Sequence, residues 1–217
     1  MLFVLVVLLL VASVFVLLMK KNRESLCLLG MCCSLMVQFS GILIFIAKKG
    51  GYSRSIINFL FFSQALRNKL QYLFITLDAL GYIIAVGRYL FPLFLLESAL
   101  QYSMIGWIRR HPDIQKWICV LPAATLAVYF PPVFRLIVNQ WPVMHSVLVE
   151  GSYWWITAYV AVALVLMIQE LFAITMRFCR KQFVGIVGCH LALSGLYLLY
   201  CGQDPAQVYQ FYSYDYI

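Results

Sequence analysis

Long apolar segments constrain this chain more than any other feature of its sequence. About six of them, each near 20 residues long, are separated by short clusters of positive charge. A membrane-spanning helix needs about 20 apolar residues, and the segments lack the period-2 alternation of a barrel strand. Backbone groups in hydrocarbon need internal partners, so such segments must be helices. The sequence therefore predicts an all-α, polytopic transmembrane helical bundle, one integral-membrane domain with spans near residues 1–19, 26–47, 77–107, 117–138, 153–176 and 183–201.

The composition indicates the same environment. Hydrophobic residues make up 64% of the 217 positions and charged residues 11%, whereas an average soluble domain carries about 25% charge. A soluble chain of this size could not hide so much apolar surface. The formal net charge is +8, but no soluble segment is long enough to present a basic face to nucleic acid. The lipid bilayer is the expected partner, and a nucleic acid is not.

Residues 53–76 differ from the six apolar segments. Ile57 and Leu60 belong to an apolar face, while Asn58, Arg67 and Lys69 are polar. This segment is too polar to span a membrane comfortably. The pattern predicts one amphipathic helix that lies in the membrane interface.

Prolines predict irregular helices in the third and fourth apolar segments. Pro92 lacks an N–H group, so it frees a backbone carbonyl and predicts a tilt or kink in the third span. Pro122, Pro131 and Pro132 predict a distorted or broken fourth span. Residues 139–152, which contain no Lys or Arg, are predicted to form an outer loop.

The distribution of positive charge predicts the orientation, because cytoplasmic loops carry an excess of Lys and Arg. With the N-terminus outside, nine positive residues face the cytoplasm and five lie on the opposite side. The nine are Lys20, Lys21, Arg23, Arg109, Arg110, Lys116, Arg177, Arg180 and Lys181; the five are Lys48, Lys49, Arg54, Arg67 and Lys69. The five conflict with this orientation, although side chains of the interfacial segment can snorkel to headgroups. The expectation is a multi-pass plasma-membrane protein with its N-terminus outside and, after six spans, Ile217 outside as well.

Ionisable residues inside the apolar segments are the candidate ligand or signal sites, because charge is expensive in a membrane. These residues are Arg88, Glu97, His190 and Glu170. Nine positions separate Arg88 from Glu97, which places them on opposite faces of a straight helix. Both either sense a ligand or fix helix packing by interhelical hydrogen bonds. His190, with Ser194 one turn away, is either a proton sensor or a packing residue.

Three ionisable residues, among them Glu170, lie close to the predicted membrane interfaces. Asp78 and Arg135 lie near the outer ends of spans three and four, and Glu170 lies near the cytoplasmic end of span five. Their side chains are expected to snorkel toward the headgroups.

No metal, cofactor or catalytic residue is predicted. The seven cysteines form no CxxC pair, and His145 with Glu150 is too small a set for a metal site, which needs about three or four ligands. HExxH, GxSxG and P-loop motifs do not occur. A multi-span peptidase stays an alternative, because intramembrane enzymes need show little in sequence.

Four phrases of the sequence are similar to those of a known family. They are FIAKKGG at 45–51, GRYLFP at 87–92, ESALQYS at 97–103 and the closing segment 203–216. Together they resemble the N-terminal membrane domains of sensor histidine kinases from Gram-positive bacteria, over nearly the whole chain. The resemblance implies a signal-receiving bundle that passes a conformational change through a final helix to a cytoplasmic kinase core. A response regulator and a second copy of the chain are the further partners that it implies.

The chain departs from that family in one respect. The phosphoacceptor histidine region and the Asn- and Gly-rich ATP-binding motifs are not in the sequence, and His111, His145 and His190 stand in no such context. The resemblance therefore implies the sensor part alone, which cannot phosphorylate by itself. A small transporter or permease is one alternative, because Pro-interrupted spans with intramembrane charge can mark substrate sites. An accessory membrane subunit is another.

Overall fold

Helices alone make up the regular structure of the part of the chain that the computed structural model describes. This part comprises residues 2–18, 22–49, 54–61, 63–103, 113–141, 143–174 and 177–200. The helices in it are α1 (Leu2–Leu18), α2 (Arg23–Lys49), α3 (Arg54–Phe61), α4 (Gln64–Gln71), α5 (Leu77–Tyr102), α6 (Ile114–Val128), α7 (Pro131–Gln140), α8 (Val143–Ala173) and α9 (Arg177–Tyr200). The predicted all-α class is confirmed.

Four helices are long and apolar enough to cross a membrane, namely α2, α5, α8 and α9. A fifth crossing results if α6 and α7, which meet at an angle of 73°, count as one broken span. The apolar helix α1 is shorter, with 17 residues. Several apolar helices of this length are the pattern of a multi-pass membrane protein. The count of six spans stays a prediction.

Helices α2 and α5 form the centre of the bundle. In their apolar windows 61% and 67% of the residues are buried, against 28% for α8 and 33% for α9. Gly87 of α5 lets the two backbones approach each other. A Cβ atom at Gly87 would lie 2.5 Å from the carbonyl oxygen of Ser34 and 2.6 Å from the backbone nitrogen of Gln38. Small residues permit this kind of close crossing between membrane helices.

The fourth apolar segment is broken into α6 and α7. Pro131 and Pro132 occupy the first turn of α7, where a missing N–H does no harm because the first N–H groups of a helix have no intrahelical acceptor. Arg135 of α7 and Asp78 of α5 form an ion pair, with Nη2 and Oδ2 2.7 Å apart. These two side chains therefore contact each other, where the sequence predicted separate snorkelling.

The predicted loop at residues 139–152 is wrong. Helix α7 continues to Gln140 and α8 begins at Val143. Residues 143–150 include no glycine or proline, and Leu148 and Val149 pack against the core, so the helix extends through this stretch. The lack of Lys and Arg indicates orientation in a membrane and not loop structure. Residues 104–112 and the closing segment 203–216 lie outside the described part of the chain.

The segment 53–76 contains two short helices where one was predicted. Helix α3 buries Ile57 and Phe61 against the core, whereas α4 has no buried residue. Lys48, near the end of α2, donates through Nζ to the carbonyl oxygen of Leu73 at 2.9 Å. This hydrogen bond ties the chain before α5 to the end of α2. The place of this segment in a membrane interface stays a prediction.

Candidate functional site

Arg88 lies in the middle of α5 and is 0% exposed. Its guanidinium carbon lies 4.7 Å from the ring centroid of Tyr153 on α8. A planar guanidinium is attracted to the face of an aromatic ring, and the attraction strengthens when water is excluded. Arg88 therefore both joins α5 to α8 and places a positive charge inside the bundle.

Aromatic and amide side chains lie at the same level of α5. The ring centroid of Tyr89 lies 5.1 Å from that of Tyr129 and 5.7 Å from that of Trp155. Gln38 of α2, which faces Gly87, is 0% exposed, and its two amide atoms make no hydrogen bond within the described residues. The sequence did not single out these residues, because a neutral side chain in an apolar segment carries no local signal of function.

Pro92 lies inside α5, which continues as a helix from Leu77 to Tyr102, and another helix supplies a donor in place of the missing N–H group of the proline. A proline removes the hydrogen bond to the carbonyl four residues earlier, which here belongs to Arg88. The hydroxyl of Tyr197 on α9 donates to that carbonyl oxygen at 3.0 Å. The Tyr197 ring also stacks on Phe91, with centroids 4.5 Å apart. The carbonyl that the sequence predicted to be freed is therefore bonded by α9.

Pro122 of α6 repeats this arrangement. The carbonyl four residues earlier belongs to Ile118, and the hydroxyl of Tyr159 on α8 donates to it at 3.0 Å. The Tyr159 ring meets Trp155 edge to face, with centroids 5.2 Å apart. Two proline positions in two helices are thus each matched by a tyrosine hydroxyl from another helix, α9 for Pro92 and α8 for Pro122. We call these the Pro92–Tyr197 and Pro122–Tyr159 pairs.

His190 of α9 is 3% exposed and bonds through both ring nitrogens. Nδ1 lies 2.8 Å from the carbonyl oxygen of Ile186, and since a carbonyl only accepts, Nδ1 carries the proton. Nε2 lies 2.9 Å from the hydroxyl of Ser98 on α5, which can then donate to it. The side-chain partner of His190 is therefore Ser98. Ser194, which lies one turn away from His190 in sequence, is buried, and its hydroxyl makes no hydrogen bond among the described residues.

Glu97 and Glu170 lie toward the end of the bundle at which α5 and α8 end. Glu97 is half-buried and lines a cleft of about 340 Å³ together with Arg23, Cys27 and Gln101. Glu170 is only 4% exposed, and its Oε1 accepts from the hydroxyl of Ser103 at 3.4 Å. The expected snorkelling of Glu170 is therefore not what the structure shows.

The four predicted site residues do not converge on one point. Arg88 contacts α8 at the middle of the bundle, whereas Glu97 faces the start of α2. His190 and Glu170 contact successive turns at the end of α5 through Ser98 and Ser103. The arrangement couples helices through single polar contacts.

Groups of three or more His, Cys, Asp or Glu side chains that could hold a metal ion do not occur among the described residues. Comparisons with protein-family models, with curated proteins and with solved structures found no match. The fold and the site therefore define the class alone: an all-helical bundle with a buried Arg88 and prolines inside two helices, whose apolar helices are compatible with a multi-pass membrane protein.

Proposed function

We propose that this chain is a membrane-embedded sensing module, which relays a conformational change from the interior of its helical bundle to a cytoplasmic kinase core. The observation that carries the proposal is the Pro92–Tyr197 pair. Pro92 leaves the carbonyl of the buried Arg88 without its usual donor within α5, and one hydroxyl of α9 bonds that carbonyl. A helix with a missing internal hydrogen bond bends at that point more readily than a regular helix.

A two-state element of this kind needs two arrangements that differ by a few kcal/mol. An interhelical hydrogen bond in a membrane contributes about 0.6–2 kcal/mol. Breaking or shifting the Tyr197 hydrogen bond therefore changes the free-energy difference between the two arrangements by a small amount. A single ligand can supply that amount by binding one arrangement more tightly than the other. Because α9 is only 33% buried in its apolar window, it has less packing to lose than α2 or α5 when it moves.

The resemblance to sensor histidine kinases supports the identity of the partner. It covers the GRYLFP phrase, which contains both Arg88 and Pro92. On this proposal the bundle lies in the plasma membrane with its N-terminus outside. Its six spans are the four long apolar helices, the bent pair of α6 and α7, and α1. The kinase core, its response regulator and a second copy of the chain are the proposed partners. Arg88, Glu97, His190 and Glu170 are the proposed sensing residues.

A fusion protein tests the proposal. The full chain would be joined through one added apolar helix to a histidine-kinase core, so that the core lies in the cytoplasm. Autophosphorylation would be measured in membrane vesicles for the unchanged fusion and for Tyr197→Phe. We expect the basal rate to shift by about fivefold in either direction, which corresponds to about 1 kcal/mol in the balance of two states.

Tyr159→Phe is the matched control. It removes the same kind of hydroxyl bond, but between α6 and α8, so the relay through α9 is left intact. An equal rate in all three proteins, or an equal shift in both variants, would contradict the proposal. Reporter fusions at Ile217 that are active only outside or only inside the cell test the orientation separately.

A small transporter is the second candidate function, and the cleft at Glu97 favours it. This cleft presents one carboxylate and one guanidinium, from Glu97 and Arg23, toward the end of α5, a helix that contains Pro92. Broken helices with charge often form substrate sites in transporters. Uptake of a substrate into proteoliposomes, lost in Glu97→Gln but kept in Glu150→Gln, would favour this function over sensing.

A further inference from the structure

A second and larger cleft opens at the end of the bundle where α2 begins and α5 ends. Its volume is about 500 Å³, and residues of α2, α5 and α9 line it. Asn22, Glu24 and Tyr102 supply polar atoms, while Leu28 and Ile186 supply an apolar wall. A cleft that is mostly apolar with a few convergent polar groups is the usual form of a small-ligand site.

Among the described residues that line this cleft, Glu24 carries the charge. Its side chain is exposed, and its Oε2 accepts a hydrogen bond from the hydroxyl of Tyr102 at 3.3 Å. An ionised carboxylate only accepts hydrogen bonds. Glu24 therefore offers a negative charge and free acceptor capacity to a group that donates and is positive.

Tyr102 adds an aromatic ring beside that carboxylate. The ring meets Phe183 edge to face at a centroid distance of 5.4 Å and His190 at 6.4 Å. These two contacts, together with the bond to Glu24, fix the ring in the wall of the cleft. Aromatic faces attract ammonium groups, and quaternary ammonium ligands are commonly held by such rings. The ring and the carboxylate thus favour the same ligand chemistry.

His190 lines the same cleft but does not oppose a cation. Both of its ring nitrogens are engaged, Nδ1 with Ile186 and Nε2 with Ser98. The carbonyl of Ile186 requires a proton on Nδ1 alone, so the neutral imidazole satisfies both contacts. The local charge of the lining is therefore that of Glu24.

We propose that this cleft binds the ammonium group of an amphiphile, as the ligand that the sensing module detects. The ammonium lies between the Glu24 carboxylate and the Tyr102 ring, and the alkyl part lies along Leu28 and Ile186. This inference rests on the proposed function for its biological meaning, but the binding itself does not. An aminophospholipid headgroup and a free amphiphilic amine share this chemistry, and both are sources of such a group.

Binding would be measured on the full chain in a nonionic detergent by native mass spectrometry. The probes are phosphatidylethanolamine, phosphatidylglycerol, octylamine and octanoate, each titrated separately. We expect the two ammonium probes to bind and the two anionic probes not to bind. Because an exposed ion pair and a cation–π contact are each modest, Glu24→Gln should weaken ammonium binding by up to about fivefold, and Tyr102→Leu should weaken it by a similar factor.

Glu150→Gln is the matched control, because Glu150 is an exposed carboxylate on α8 and does not line the cleft. If the chain retains phosphatidylethanolamine and octylamine displaces it, the lipid headgroup is a ligand of the cleft. If octylamine binds and phosphatidylethanolamine does not, the ligand is a free amine. Binding of all four probes alike, or an equal effect of Glu24→Gln and Glu150→Gln, would overturn the site. Ammonium binding without any response of the kinase fusion would refute the sensing function and leave the site intact.

Discussion

Replacing Tyr197 by phenylalanine removes only the hydroxyl, which bonds the carbonyl of Arg88 one turn before Pro92 in α5. Tyr197→Phe keeps the ring and its stacking on Phe91 but removes the donor to the carbonyl of Arg88. Leaving a buried carbonyl without a donor costs about 1–3 kcal/mol in soluble proteins. Interhelical hydrogen bonds in membranes contribute about 0.6 kcal/mol on average and about 1.7 at most. We therefore expect a loss of about 1 kcal/mol in the free energy of unfolding, or about fivefold in the folding equilibrium.

The cause of this loss is tested by changing the proline as well. Pro92→Ala restores an N–H group four residues after Arg88, and that N–H can bond the same carbonyl within the helix. In the Pro92→Ala background, Tyr197→Phe should therefore destabilise much less than in the unchanged protein. The double-mutant cycle should give a coupling energy of about 1 kcal/mol between Pro92 and Tyr197.

The assay is reversible unfolding of the full chain in mixed micelles, followed by helical circular dichroism. Tyr159→Phe combined with Pro122→Ala repeats the cycle at the second pair. The crossed combination, Tyr197→Phe with Pro122→Ala, joins residues of different pairs and should be additive. A Tyr197→Phe loss that is equal with and without Pro92 would refute the reasoning, because the hydroxyl would then not compensate for the proline.

Three further variants test other contacts by the same unfolding measurement. Gly87→Ala should destabilise the protein by about 1–3 kcal/mol, because the new Cβ atom would meet backbone atoms of α2. Gly188→Ala is the control: open space surrounds its Cβ position, so this variant should be neutral or stabilising. Equal effects of the two variants would contradict the close crossing of α2 and α5. Arg88→Lys should lose about 1 kcal/mol, because an ammonium cannot stack in plane on the neighbouring ring; full stability would contradict the contact. Asp78→Asn should lose about 0.2–1 kcal/mol through its partner Arg135, and a loss that persists at high salt would exclude an ionic cause.

The helices of this fold could be predicted from the sequence because they depend on local information. A run of apolar residues near 20 long needs no distant partner to be helical in a membrane. The proline positions are equally local: Pro92 identifies the Arg88 carbonyl by counting back one turn. The wrong prediction at residues 139–152 has the opposite origin, because a lack of charge does not itself indicate a loop, and residues 143–150 contain no glycine or proline that would interrupt a helix.

The partners of the site residues could not be predicted, because they come from distant parts of the chain. Tyr197 lies 109 positions from Arg88, and Ser98 lies 92 positions from His190. Helix packing in lipid is weakly specified by apolar residues, since lipid tails are as apolar as leucine. The sequence therefore selected the charged residues, but not the tyrosine, serine and glycine residues that decide which helices those charges meet.

The two Pro–Tyr pairs share a further property that bears on movement. In both pairs the tyrosine belongs to a peripheral helix, α8 or α9, with 28% and 33% of its apolar window buried. Apolar packing gives such helices little fixed orientation in lipid, so the tyrosine hydroxyl bonds contribute to it together with the contacts of Tyr153, Glu170 and His190. Helices α2 and α5 instead approach each other closely at Gly87 and bury most of their apolar windows, 61% and 67%. On the function proposed above, we therefore expect a change of α5 at Pro92 to move α9 more easily than α2.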